Sequence, residues 1–130
     1  MIDFTLTTTA PADGVALVTV AGDLDVYTAP QLRAALLDQV NLARYRKVID
    51  LSGVRRIDST GLAVIVGGRA RALMYGGGLR LAVPDRAQNV AHALTVTGLL
   101  KVIPVHETAA DALAAFETAE ITTDTKEAAG

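Results

Sequence analysis

Apolar and polar residues alternate at the start of the chain, with Ile2, Phe4 and Leu6 on one side, a period of two that predicts an edge strand over residues 2–8. Ala10-Pro11-Ala12-Asp13-Gly14 reads as a turn, and the denser apolar run from Val15 to Ala21 suits a central strand. Thr28-Ala29-Pro30-Gln31 has the form of a capping box with proline near the first helical position, and Leu32, Leu36 and Val40 line one face of the helix it opens. Ala43-Arg44-Tyr45-Arg46 leads back to a strand from Lys47 to Leu51, after which a polar loop delivers Asp58-Ser59-Thr60-Gly61 to a second apolar run. Leu62 to Val66 is short and β-branched enough to pass as a buried strand. Arg69 to Met74 continues with good helix formers, however, and Gly76-Gly77-Gly78 ends the segment, so a helix is predicted. At helical pitch Leu62, Ile65, Val66 and Leu73 share one side with Ala72 near its edge, while Val64 and Arg71 point away. Its first two turns are apolar nearly all round. Such a helix is either covered on both sides or leaves apolar surface beside Ser59 for another protein. Gly67 and Gly68, each about 1 kcal/mol worse than alanine inside a helix, predict a close backbone approach.

Beyond the glycines, Leu79 to Val83 reads as a strand, and Pro84-Asp85 opens a helix that carries Val90 and Leu94 and ends near Gly98. Val102 to Val105 is a short strand that Pro104 confines to an edge, and a capping pattern from Thr108 to Asp111 starts a last helix with Leu113 and Phe116. Two strands before any helix, then alternation, predict an α/β fold: a mixed sheet of four to five strands with about four helices, in one domain over residues 1–117. From Thr118 the residues are polar, small and acidic without periodicity, so 118–130 reads as a disordered tail.

Composition narrows the chemistry. The chain of 130 residues is long enough for a core without metal or disulfide staples, and with 2 Phe, 3 Tyr and no Trp that core is aliphatic. The absence of cysteine excludes disulfides, thiolate zinc sites and cysteine nucleophiles. A net charge of −2 gives no electrostatic reason to expect nucleic acid or an anionic membrane as partner. No apolar run approaches the ~20 residues of a membrane span and the N-terminus lacks a signal-peptide pattern, so a cytoplasmic protein is expected.

The Asp58 to Gly61 segment is the first candidate for function. If Leu62 onward is helical, Ser59 or Thr60 occupies the N-cap, where a side-chain oxygen accepts from the unpaired amides of the first turn. A phosphate there would meet free amide donors and the positive end of the helix dipole, so Ser59 could be modified without unfolding its surroundings. On pattern alone, Asp-Ser-Thr-Gly before a helix is more often simply a cap. Asp23 and Asp25 after a buried strand, with Thr28 following, likewise read first as turn chemistry and a helix start.

Two separated blocks change that weighing. Asp50-Leu51-Ser52-Gly53-Val54 with Ile57-Asp58-Ser59-Thr60-Gly61-Leu62 resembles the phosphorylation segment of the bacterial anti-sigma-factor antagonists, which have the STAS fold. Gly22-Asp23-Leu24-Asp25-Val26-Tyr27-Thr28-Ala29-Pro30-Gln31-Leu32-Arg33 resembles that family's segment between its second strand and first helix, and the similarity runs from about Phe4 to Ala115. Ala63 departs from the family pattern, where many members carry glycine. The resemblance implies a non-enzymatic switch in transcription regulation of the stress-response or sporulation kind. Unphosphorylated, such a protein binds an anti-sigma factor that is also a serine kinase and so frees a sigma factor. Phosphorylation of Ser59, with ATP supplied by the kinase, releases it, and a serine phosphatase restores it. It also implies that Asp25 helps to orient partner or nucleotide beside Asp23 and Thr28, that Asp58 holds or polarises Ser59, and that Gly61 and Leu62 support the site. Thr60 is a candidate second acceptor, although a capping hydroxyl explains it equally well. Arg55 and Arg56 could meet acidic groups of a kinase, but charged loop residues are usually just solvated.

Other chemistry fits the sequence less well. Asp58-Ser59-Thr60-Gly61 only superficially resembles the Asp-Thr-Gly of aspartic proteases, and neither His92, in a predicted helix, nor His106, after an edge strand, comes with a Gly-x-Ser-x-Gly elbow. An aspartyl-phosphate phosphatase reading of Asp23-Leu24-Asp25 lacks an identifiable lysine and acidic pair downstream. The main rival is a receiver-type domain with Asp50 at a strand end as phosphoacceptor and Asp23 or Asp25 helping to bind Mg²⁺. Two strands before the first helix argue against it. A STAS-type module that only docks, with no phosphorylation cycle, is the third reading.

Overall fold

The structure, a computed structural model, describes residues 3–117. The expected tail at 118–130, and Met1 and Ile2 of the expected first strand, lie outside them. Five strands form one sheet in the order of the chain, β1 (Thr5–Ala12), β2 (Val15–Leu24), β3 (Arg46–Ile57), β4 (Gly78–Ala82) and β5 (Val105–His106). β1 runs antiparallel to β2 and the other neighbours pair in parallel, so the sheet is mixed. The parallel neighbours require crossovers, supplied by helices α1 (Ala29–Asn41), α2 (Ser59–Met74) and α3 (Gln88–Val96), the last followed by a 3-10 turn at Leu99–Lys101. A fourth helix, α4, covers residues 109–117.

Strand alternation sorts the core onto two faces. Val18, Val20 and Leu24 of β2, Ile49 and Leu51 of β3 and Leu79 and Leu81 of β4 join Leu32 and Leu36 of α1 and Leu62 and Ile65 of α2 in the main cluster. Val48 turns to the other face, where Ala112 and Phe116 of α4 cover it. Each such leucine or isoleucine, once buried, favours the fold by roughly 1.5–3 kcal/mol.

Several boundaries differ from the sequence expectation. β1 begins and ends later, its alternation still placing Phe4 and Leu6 against the core. β3 does not stop at Leu51: the supposed polar loop stays in the sheet, with Ala21 opposite Gly53 and Leu24 opposite Ile57, because two register shifts absorb its irregular residues. Gly22, at φ +98, sits at one of those shifts, where a Cβ would press on the Phe4 backbone. The Thr28 capping box does not form: Thr28 is αR and makes no side-chain cap bond. α3 begins at Gln88, Pro84-Asp85 forming the turn before it, and β5 contains only Val105 and His106. Thr108 does cap α4, accepting from Asp111 N at 3.1 Å.

Lys47 lies on the same side of β3 as Ile49 and Leu51, has 0% exposure, and its Nζ has no hydrogen-bond partner among the described residues. Burial, and secondarily the like charge of Arg71, hold its ammonium below the ordinary lysine value. The unfolded chain therefore binds this proton more tightly than the folded one. On account of Lys47, stability rises with pH between the folded value and 10.5 and is flat below that window. Lys47→Met is expected to stabilise the fold by roughly 1–3 kcal/mol at pH 7 and to remove the alkaline rise. Urea unfolding of both proteins from pH 7 to pH 10 checks this, and parallel stability curves would contradict it.

Candidate functional site

The site forms where β2 and β3 end together. Asp23 and Leu24 pair with Arg56 and Ile57, and Asp58 N donates to Leu24 O at 3.1 Å, tying the entrance of α2 to the end of β2. Asp23 thus belongs to the strand rather than to the loop after it. The next turn is closed by side chains: Asp25 Oδ1 accepts from Tyr27 N at 2.9 Å and Thr28 N at 3.2 Å. The Thr28 hydroxyl accepts from Asp25 N at 2.9 Å and donates to Asp23 O at 2.7 Å. A hydroxyl committed to this turn cannot also cap α1.

Asp58, not Ser59 or Thr60, is the N-cap of α2. Its Oδ1 accepts from Thr60 N at 2.9 Å and Gly61 N at 3.1 Å. Extended backbone at Asp58 explains the difference, since only the residue before the first helical one can turn its carboxylate back onto those amides. Two of the donors expected to meet a phosphate are therefore already engaged. Asp58→Ala should lower stability by about 1 kcal/mol, read as the shift in a urea midpoint, and a shift no larger than that of a nearby surface substitution would deny Asp58 its capping role.

Ser59 is the first residue of α2, is exposed, and its hydroxyl has no hydrogen-bond partner among the described residues. Thr60 is half-buried, and Gly61 and Leu62 are buried. A Cβ on Gly61 would lie 2.9 Å from Leu24 Cγ and 3.0 Å from Leu24 O, so glycine lets the helix start close against β2. The buried stripe of α2 is Gly61, Leu62, Ile65, Gly68 and Ala72. Val66 (43% exposed) and Leu73 (49%), expected inside, point outward, and Val64, expected outside, packs against the core. Gly68 makes the expected close approach, a Cβ there reaching 2.8 Å from Leu36 Cδ1, whereas Gly67 has open space. Ser59, Ala63, Val66, Ala70 and Leu73 are all exposed and recur at helical spacing, forming one outer stripe.

Beside this entrance is a hollow of ≈ 580 Å³ lined by Asp23, Asp25, Arg56, Asp58 and Asn89, among others. The family resemblance implied that the Asp23–Asp25 loop lies near Ser59, and the hollow is where Asp23, Asp25 and Asp58 meet. Asn89, which the sequence did not single out, reaches the hollow from α3 and donates to Arg55 O at 3.1 Å, and Arg56, expected to be solvated, is exposed and lines the hollow too. Asp23 Oδ1 is buried and without a partner among the described residues. Next to the hollow, Val26 (56%) and Tyr27 (85%) are exposed, an apolar pair that the turn's polar neighbours masked in the sequence.

The rival chemistry does not assemble. Asp50 is inside β3, opposite Thr19, and its Oδ1 accepts from Ser52 N at 2.9 Å instead of standing with Asp23 and Asp25 at a strand end. Among the described residues no three His, Cys, Asp or Glu side chains group as metal ligands would. His92 is exposed on α3, and His106 meets Arg80 at 3.1 Å on β5. Neither is joined to Ser59. No helix among the described residues is long and apolar enough to cross a membrane.

Comparison with known proteins agrees with this geometry. A family profile described as "Mlab, STAS domain" matches residues 7–104. The chain is 30% identical over 105 residues to an anti-sigma F factor antagonist of Paenibacillus polymyxa, covering 80% of this chain and 88% of the relative. It is 33% identical over 88 residues to an anti-sigma-B factor antagonist of Bacillus subtilis (strain 168), covering 68% and 78%. The crystal structure of an anti-sigma factor antagonist from Mycobacterium paratuberculosis superposes with a TM-score of 0.78 at 30% identity, covering 88% of this chain and 95% of that one.

Proposed function

Because the chain belongs to the STAS domain family and is an anti-sigma factor antagonist of that type, we propose that it is a partner switch thrown by phosphorylation of Ser59. In its unmodified form it binds an anti-sigma factor that is also a serine kinase, and this binding frees a sigma factor. The kinase supplies the ATP, and a serine phosphatase reverses the modification. The protein acts by docking and catalyses nothing itself, which suits a cytoplasmic regulator.

The observation that carries this reading is the position of Ser59, exposed and with no hydrogen-bond partner for its hydroxyl among the described residues, at the head of an exposed apolar stripe on α2. A kinase can reach the exposed hydroxyl, and a partner that lies along the α2 stripe over Ala63 and Val66 also covers Ser59 at its head. Asp23 supports docking: its carboxylate lines the hollow as an acceptor suited to a cationic donor from the anti-sigma factor. Asp25 and Thr28 hold the turn that presents Val26 and Tyr27, Asp58 and Gly61 fix the start of α2, and Leu62 anchors it to the core. Thr60, half-buried, is the weaker acceptor. The test is incubation with candidate anti-sigma kinases and ATP, followed by peptide mass spectrometry. Phosphate on Ser59 is expected, stable to acid and hydroxylamine. Acid-labile phosphate on Asp50 would replace this reading with a receiver mechanism, and none with any kinase would leave a docking module alone.

A further inference from the structure

A second cavity lies at the opposite end of the sheet from Ser59. The β1–β2 turn at Gly14 and the starts of β3 at Arg46 and β4 at Gly78 frame a volume of ≈ 810 Å³. Small-molecule pockets span about 300–1,000 Å³. Part of its lining is apolar, from Leu73, Val102 and Phe116, and part is the guanidinium side chains of Arg46, Arg69 and Arg80. None of its described lining residues is acidic, although the chain as a whole has a net charge of −2.

Arg80 is built into this cavity. Its Cζ is 5.0 Å from the centroid of the Phe116 ring and its Nη1 is 3.1 Å from His106 Nε2. Its Nε is buried with no acceptor among the described residues. Stacked on Phe116 and beside His106, Arg80 brings a fixed positive charge to the cavity wall. Burial and the charge of Arg80 lower the affinity of His106 for a proton, and Asp111 on α4 is the carboxylate that opposes them. Tyr45 and Tyr75 stack with centroids 4.7 Å apart and planes at 10°, and both line the cavity, giving it a flat aromatic flank.

We propose that this cavity binds a small organic anion, with a sulfonate, carboxylate or phosphate headgroup drawn to the guanidinium groups of its wall and an apolar or aromatic body against its Leu73, Tyr75 and Phe116 surfaces. Guanidinium groups pair with two oxygens of such a headgroup at once, which a neutral ligand cannot offer. A bare inorganic anion makes the charged contact but leaves the apolar wall wet. The site is separate from the Ser59 surface and does not depend on the phosphorylation switch.

The test titrates the full chain with 1-naphthalenesulfonate and follows backbone amide shifts by NMR, with 1-naphthalenemethanol and inorganic sulfate as the neutral and bare-anion controls. The amides of Gly76, Gly77 and Gly78 should shift saturably while those of Thr60 and Gly61 stay in place, and each control should bind at least 10-fold more weakly. Arg80→Gln and Arg69→Gln should each weaken the sulfonate at least 10-fold. If Arg80→Gln fails to fold, Arg69→Gln alone decides. Unsaturable shifts, equal binding of the alcohol, or unchanged affinity in the folded variants would overturn the assignment.

Discussion

Phosphorylated on Ser59, the chain is expected to bind its anti-sigma factor at least 100-fold more weakly than the unmodified form, a loss of about 2.8 kcal/mol. The added group brings roughly −1.5 to −2 charge units at pH 7. Asp23, Asp25 and Asp58 already line the adjoining hollow with only one guanidinium, Arg56, among them. Two like charges about 7 Å apart repel by roughly 2 kcal/mol at an effective permittivity near 20, and closing an interface over them lowers the permittivity further. Because Asp58 holds Thr60 N and Gly61 N, a phosphate would have to compete with it for the donors that could neutralise it. The free protein tolerates the charge in water, and the complex does not. Calorimetric titration of the enzymatically phosphorylated protein, beside parent and Ser59→Ala, checks this. Ser59→Ala should bind as the parent does but remain insensitive to ATP. A phosphorylated form that bound within about 3-fold of the parent would remove charge as the releasing force.

The largest loss of stability is expected from Gly77→Ala, about 3 kcal/mol. A Cβ on Gly77 would fall inside the contact distance of the Tyr45 carbonyl oxygen, which itself accepts from Gly78 N at 3.0 Å. Gly77 N in turn donates to Ala72 O at 2.9 Å, closing α2. Backbone meets backbone, so no rotamer change relieves the clash. Gly76→Ala is the control. Its φ of +78 disfavours any side chain, but a Cβ there has open space, so only about 1 kcal/mol is expected. Urea midpoints at constant denaturant slope compare the two, and equal shifts would show that the Gly77 contact is relieved by backbone movement.

Where spacing alone fixes an element, the sequence was sufficient. Alternation identified β1 with Phe4 and Leu6 inward, the aliphatic runs gave β2, the start of β3 and β4, and Thr108 marked the start of α4. Two strands preceding the first helix were enough to separate a mixed sheet from a receiver. The face of α2 was misread because Leu62 to Val66 is apolar on every side, so periodicity offered no choice between Val64 and Val66. Gly68 against Leu36 decided it: the missing side chain lets α1 come close at that turn, which favours this rotation of the helix.

Local pattern therefore determined which segments form strands and helices, that the core is aliphatic, and that a hydroxyl between two apolar runs stands at a helix entrance. Those properties depend on neighbours a few residues away. The capping residue of α2, the continuation of β3 to Ile57, the gathering of Asp23, Asp25, Asp58 and Asn89, and the basic cavity framed by Arg46 and Gly78 were decided by the tertiary structure. Each depends on atoms far apart in the chain competing for the same space or hydrogen bond, and only packing brings such atoms together.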